Sequence, residues 1–308
     1  MDADILQCYT DAGQIASKVL REAIKTASHK ADISVLELAQ TAETRIIELG
    51  GKIAFPCNIS INEVASHYTP PISDPLLLQK SDLVKIDIGV HIDGYIADTA
   101  STVEISTSEH TDLINASKKA LENAISITCA GVNAMELGKV IEDTINKCGF
   151  TPIYDLTGHS LGQYSLHGNV NIPNYAASFG NTLFAGDVVA IEPFATYGKG
   201  TTINGDSQIF SLNELFKKHM HDKYNTNINT NKNSYTHSNG LLDGLYRQYG
   251  SLPFARRWVE DRGGVKIEDY VATGDIIAYP VLHEISGGVV SQFEHTVIVE
   301  DSGCIVTT

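Results

Sequence analysis

The stretch Val84-Lys85-Ile86-Asp87-Ile88-Gly89-Val90-His91-Ile92-Asp93-Gly94-Tyr95-Ile96-Ala97-Asp98-Thr99 reads as a hairpin with two aspartates on one face. Val84, Ile86, Ile88, Val90 and Ile92 alternate with Lys85, Asp87, Gly89 and His91, the period-2 pattern of a strand with one buried face. Asp93-Gly94 supplies the positive backbone dihedrals of a two-residue turn. With that turn Ile92 faces Tyr95, and Asp98 faces Gly89, diagonal to Asp87 on the same face. Diagonal neighbours lie roughly 7 to 8 Å apart at the backbone, and Gly89 leaves a gap between the carboxylates. Carboxylates held together away from water repel unless a proton or a cation lies between them. The pair is therefore either a solvated acidic face or part of a metal site, and the rest of the chain favours the metal site.

Three further segments each end an apolar or glycine-rich approach in one metal-capable residue. They are Leu156-Thr157-Gly158-His159-Ser160-Leu161-Gly162-Gln163-Tyr164, Val188-Val189-Ala190-Ile191-Glu192-Pro193-Phe194 and Ser291-Gln292-Phe293-Glu294-His295-Thr296-Val297-Ile298-Val299. Val188 to Ile191 reads as a buried strand, and an acid at its end beside a proline has to be satisfied by something. Glu294 is expected within another strand, amid Phe293 and Val297. Taken singly, each of these residues is as readily a hydrogen-bonded structural group as a ligand.

Together Asp87, Asp98, His159, Glu192 and Glu294 form an ordered set whose local contexts resemble the methionine aminopeptidases, of the M24 metallopeptidases, and in particular their type 2 branch as found in archaea. The resemblance covers nearly the whole chain. Phe55-Pro56-Cys57-Asn58 through His67-Tyr68-Thr69-Pro70 is similar to the family's substrate-side histidine motif. Gly158-His159-Ser160 with Gln163-Tyr164 and His167 is similar to its second histidine motif, and Tyr279-Pro280-Val281-Leu282 with Gln292 to Thr296 to its closing segment.

An internal signal stands apart from that resemblance. Glu37, Leu38, Glu43, Ile46 and Gly50 recur 99 residues later as Glu136, Leu137, Glu142, Ile145 and Gly149, the mark of a duplication. Each copy pairs two helical stretches, residues about 2 to 28 with 34 to 49, and about 111 to 130 with 133 to 148. Asn133 with Glu136 reads as a capping box, and Gly149 as a helix stop. A pseudo-two-fold duplicated α+β domain follows, with antiparallel strands collecting ligands between its halves. The resemblance names it the pita-bread fold.

Between Glu192 and Glu294 the chain is far longer than a strand connection needs. We expect a catalytic domain of residues 1–200 and 265–308 with a helical subdomain, 201–264, inserted. Amphipathic helices are expected at Ser211 to Lys218 and Gly240 to Arg247, with an Asn/Thr/Ser-rich loop from Asn225 to Asn239 between them. The resembling family carries an insertion at this place in its type 2 branch. Pro253 to Trp258 is read as core and rim.

A chain of 308 residues, 43% hydrophobic, can bury a substantial core. The five cysteines lack paired spacing and read as reduced thiols. A net charge of −15 argues against binding DNA through the overall field. No run approaches a membrane span, and the Met1-Asp2-Ala3-Asp4 start lacks a signal peptide's regions, so a cytoplasmic location is expected.

Four carboxylates and one imidazole make an oxygen-rich site suited to Mn, Fe or Co, with Zn also within reach of such donors. The resemblance implies two divalent ions per chain, Asp98 and Glu294 bridging, Asp87 completing one ion, and His159 with Glu192 the other. It gives Glu192 a further role in proton handling, and places His67 and His167 against the substrate; both histidines also have a reading as buried structural groups. Phe55, Leu166, Phe194 and Tyr279 match the family's methionine pocket, and read equally as core. The implied activity is removal of the N-terminal methionine from nascent polypeptides when the second residue is small, by a monomer, with the ribosome as a candidate partner. Two alternatives stay open. An Xaa-Pro peptidase of the same fold shares the five ligands but usually carries a separate preceding domain, whereas the first repeat consumes the residues before Asp87. A non-catalytic pita-bread binding protein would be marked by lost ligands, and all five are present.

Overall fold

The computed structural model describes residues 1–29, 32–225, 240–259 and 266–308. Its first half is a helix pair, α1 (Ala3–His29) and α2 (Val35–Glu48), followed by strands β1 (Lys52–Ile61), β2 (Val64–Ser66), β3 (Leu83–Ile92) and β4 (Tyr95–Glu104). The Ser34 hydroxyl caps α2 by accepting from the Glu37 amide, and Gly50 beyond its end adopts φ 90°, the left-handed conformation that stops a helix. The second half repeats these devices. It comprises α3 (Thr111–Ile127), α4 (Ala134–Lys147), β5 (Thr151–Pro152), β6 (Thr157–Ser160), β7 (Asn171–Pro173), β8 (Val188–Ile191) and β9 (Phe194–Thr196). Asn133 and Glu136 form the expected capping box, and Gly149 takes φ 87°. Leu38 and Ile46 are buried in one core, and their counterparts Leu137 and Ile145 in a second. Each half thus buries an amphipathic helix pair against strands, the second core also taking in Leu83 of the first half and Val297 and Val299 near the end of the chain.

The chain continues through β10 (Thr202–Leu212), α5 (Glu214–Asn225), α6 (Gly240–Tyr249), β11 (Phe254–Ala255), a 3-10 turn at Arg256–Trp258, α7 (Ile267–Thr273), β12 (Ile276–Glu284), β13 (Val290–Gln292), β14 (His295–Glu300) and β15 (Gly303–Val306). Its sheets run β1-β3-β4, β11-β10-β12-β2, β13-β9-β5 and β15-β14-β8-β6-β7. The span from 201 onward therefore opens with a strand that takes in Ser211 and Leu212 of the first expected helix; that helix begins at Glu214, and the second, from Gly240 to Arg247, lies within α6. β10 pairs along its length with β12; on one face Phe210 and Leu212 are buried with the following helices, and on the other Ile209 is buried as well. Phe210, Leu212, Phe216, Leu242, Leu245 and Ile267 form a separate core there. Of the Asn/Thr/Ser-rich stretch, residues 226–239 lie outside the described residues.

The hairpin has the register its turn dictates: Ile92 pairs with Tyr95 and Gly89 with Asp98. The expected single buried face is corrected, since Lys85, Asp87 and His91 on the polar face are buried as well. Other strands cover that face. Lys85 Nζ donates to the carbonyls of Asn62 and Val290 at 2.9 Å each, and burial pulls its pKa down to about 7. The gap at Gly89 is also filled: a Cβ there would stand 2.1 Å from Cε1 of Phe55, which pairs with Gly89 across β1 and β3.

Candidate active site

Five elements deliver the five candidate ligands. Asp87 lies on β3, Asp98 on β4, His159 on β6, and Glu192 immediately follows β8. Glu294 is not within a strand, as the sequence suggested, but in the break between β13 and β14, bridged to Ala100. Threonines stitch this break to the hairpin. The Asp98 amide donates to Thr296 Oγ1 (2.8 Å), whose hydroxyl donates to the Asp98 carbonyl (2.9 Å). Thr99 Oγ1 donates to the Glu294 carbonyl (2.9 Å), and Thr102 Oγ1 to that of Gln292 (2.6 Å). His159 pairs with Ala190 and Ile191 with His295, so Glu192 leaves its ladder opposite Glu294.

His159 Nε2 lies 3.7 Å from Asp98 Oδ2 and 3.8 Å from Glu192 Oε1. Ligand atoms of Asp98, His159 and Glu294 all lie within 4.8 Å of one another. Buried oxygens Asp87 Oδ1 and Asp98 Oδ1 have no hydrogen-bond partner, a costly condition for anionic groups. Burial pushes Asp87 up to about 7. It also drives Asp98, Glu192 and Glu294 well above the carboxylate range, with neighbouring carboxylates adding to the effect. His159 is pushed down to about 3, again mainly by burial. Anions that cannot ionise together, orphaned oxygens and a neutral imidazole within a few ångströms are what divalent cations neutralise, so the residues fit a metal centre.

Around these ligands, Phe55, Asn58, Ser66, His67, Leu166, His167, Ile209, Pro253 and Tyr279 complete a cleft. His67 adopts φ 64° and its Nδ1 lies 3.2 Å from the Pro280 carbonyl. Its ring stands edge-on to Tyr279 at 6.0 Å, and Tyr279 stacks on His167 at 6.3 Å. Burial lowers the pKa of His67 and takes His167 down to about 4. Of the proposed methionine pocket, Phe55, Leu166 and Tyr279 line the cleft. Phe194 does not. It packs with Ala65, Ile153 and Val290 in a core of its own, because Pro193 ends β8 and the chain passes into a different sheet. Asn58, Ser66, Ile209 and Pro253 were missed by sequence reasoning. Asn58 could have been found, since it lies three residues after Phe55, whereas Ile209 arrives only through the β10–β12 pairing.

This cleft, built between two related halves, is that of a metallopeptidase, and the chain belongs to metallopeptidase family M24, whose family model matches residues 7–301. A methionine aminopeptidase of Pyrococcus horikoshii is 46% identical over 314 residues, covering 100% of both chains. One from Archaeoglobus fulgidus is 43% identical over 311 residues, again with 100% of both covered. The crystal structure of a methionine aminopeptidase from Thermotoga maritima superposes with a TM-score of 0.70 at 20% identity, covering 100% of this chain and 98% of its own. The fold is the pita-bread fold.

Proposed function

We propose that this chain is a methionine aminopeptidase, a metal-dependent hydrolase that removes the first methionine from nascent polypeptides whose second residue is small. It works as a cytoplasmic monomer that meets its substrates near the ribosome. The observation that carries this reading is the convergence of five ligand side chains, two neutral histidines and three apolar walls on one cleft. In the same reading, 201–264 is an insertion that shields one side of a catalytic domain made of 1–200 and 265–308.

Asp98 and Glu294 would be shared between two ions, with Asp87 completing one and His159 with Glu192 the other; Mn, Fe, Co and Zn all accept such donors. When bound, divalent ions supply Lewis acidity to a carbonyl oxygen and lower the pKa of water. The remaining work falls to the protein's own groups. Phe55, Leu166 and Tyr279 hold a thioether chain by dispersion and sulfur-to-ring contact. The Pro280 carbonyl can only accept, so the bond it makes places the His67 proton on Nδ1 and leaves Nε2 as an acceptor. That nitrogen receives the N–H of the scissile peptide. His167, neutral near pH 7, donates a ring N–H toward the carbonyl oxygen as charge develops there. Glu192 takes a proton from the attacking water and returns it to the leaving nitrogen, so hydroxyl ends on the carbonyl carbon and hydrogen on the amine.

The test is release of free methionine from Met-Ala-Ser, against cleavage of Ala-Pro peptides, with metals added back singly to stripped protein. Cleavage of the Ala-Pro peptide alone would transfer the chain to the Xaa-Pro peptidases. Inactivity with every metal would favour a binding protein.

A further inference from the structure

The strand that carries Phe55 and Asn58 into the cleft is irregular at that point. Phe55 pairs with Gly89 and Asn58 with Asp87, so three steps on β1 oppose two on β3. Such a bulge re-aims side chains and leaves backbone groups outside the ladder. Pro56 brings no N–H to be satisfied; Cys57 brings both an N–H and a carbonyl, deep in the protein.

Both are met by one buried network. The Cys57 amide donates to Glu43 Oε1 at 3.1 Å. Its carbonyl accepts from Thr69 Oγ1 at 2.8 Å. Arg257, on the 3-10 turn, joins the two sides: its guanidinium donates to Glu43 Oε1, to Thr69 Oγ1 at 2.5 Å and to the Pro70 carbonyl at 3.1 Å. Trp258 Nε1 adds a bond to Glu43 Oε2 at 3.2 Å. Thr69 and Pro70 lie just beyond His67, so the residue of positive φ is followed directly by two restraints, this anchor and the bond from the Ile59 amide to the Tyr68 carbonyl, 2.7 Å.

We propose that Arg257 and Glu43 are positioning residues for the reaction. Through the Cys57 bulge and Thr69 they aim Phe55, Asn58 and His67 into the cleft from behind, so that the chain beyond residue 201 takes part in building the substrate site. This rests on the methionine aminopeptidase reading. The pair touches no candidate ligand, so its loss is expected in substrate handling and not in metal content.

A buried ion pair also has a structural role, and a double substitution separates the two. Replacing both partners, Glu43→Leu with Arg257→Met, leaves no unpaired buried charge but removes the acceptor for Cys57 and the donor to Thr69. With parent and variant equally metal-loaded, the variant is expected to show a thermal midpoint only a few degrees below the parent's, the cost of the unpaired Cys57 and Trp258 donors, parental metal stoichiometry, and kcat/KM on Met-Ala-Ser reduced about tenfold or more, with KM raised. A folded double variant with parental kcat/KM and KM overturns the proposal. Should the double variant not fold, Thr69→Val decides: it deletes one hydroxyl, keeps the shape, and is expected to lower kcat/KM about fivefold or more. Parental kinetics in Thr69→Val would then refute the proposal. If the parent itself releases no methionine, the functional reading fails and this proposal falls with it; a normal parent beside normal variants fails the positioning role alone.

Discussion

Metal binding to this protein should become more stabilising as pH rises, and the slope reports how many protons the cluster holds when empty. Burial keeps Asp87 near 7 and Asp98, Glu192 and Glu294 well above the carboxylate range. In the unfolded chain the same groups ionise near pH 4. Between about pH 6 and about pH 8 the metal-free fold therefore binds more protons than the unfolded chain, and it loses stability as pH rises through the folded pKa values. A divalent ion displaces those protons, so the gap between metal-loaded and stripped protein widens with pH. His159, held down at about 3, is already neutral in this window and adds nothing. Lys85, held near 7, titrates in both forms and largely cancels in the difference. One displaced proton amounts to about 1.4 kcal/mol per pH unit, or roughly 3 kcal/mol over the window. An unfolding entropy of about 2.1 cal/mol/K per residue over 308 residues converts this to a widening of roughly 4 °C. The assay is thermal unfolding of chelator-stripped protein with and without saturating Mn across that range. A gap that stays constant within about a degree, rather than widening by roughly 4 °C, would refute the proton-holding cluster.

Three further outcomes are expected. Asp98→Asn or Glu294→Gln removes a carboxylate placed between ions and should abolish methionine release and lower metal content by elemental analysis; full occupancy in both variants would count against the shared-ligand assignment. His67→Ala should reduce turnover by roughly 10² while metal content stays parental, and steady-state kinetics with parental turnover would return His67 to a structural role. Gly89→Ala brings a Cβ to 2.1 Å from the Phe55 ring; chemical denaturation should show a loss of about 1 to 3 kcal/mol from overpacking, with a raised KM as the ring shifts into the cleft, and unchanged stability would mean the ring has room that the packing denies it.

Local chemistry was enough to read the hairpin. Strict alternation from Val84 to Ile92 and the Asp93-Gly94 turn determine the register in which Asp98 meets Gly89, because side-chain direction and turn geometry are properties of neighbouring residues. The same holds for the repeated helix pair, with its Ser34 and Asn133 caps and its Gly50 and Gly149 stops, and for the apolar run that buries β8 and ends at Glu192. What the sequence could not decide depends on which surfaces meet. β3 is covered on both faces because strands from distant parts of the chain close over Lys85 and Asp87. Phe55 fills the space at Gly89, and Phe194, two residues from a ligand, turns into a core instead of the cleft. β10 is a strand because β12 offers it a partner. Glu43 and Arg257, separated by 214 residues, meet in a contact that no periodicity or turn signal encodes. Local rules place a side chain on a face of its own element; only the packing of elements against one another determines what that face touches.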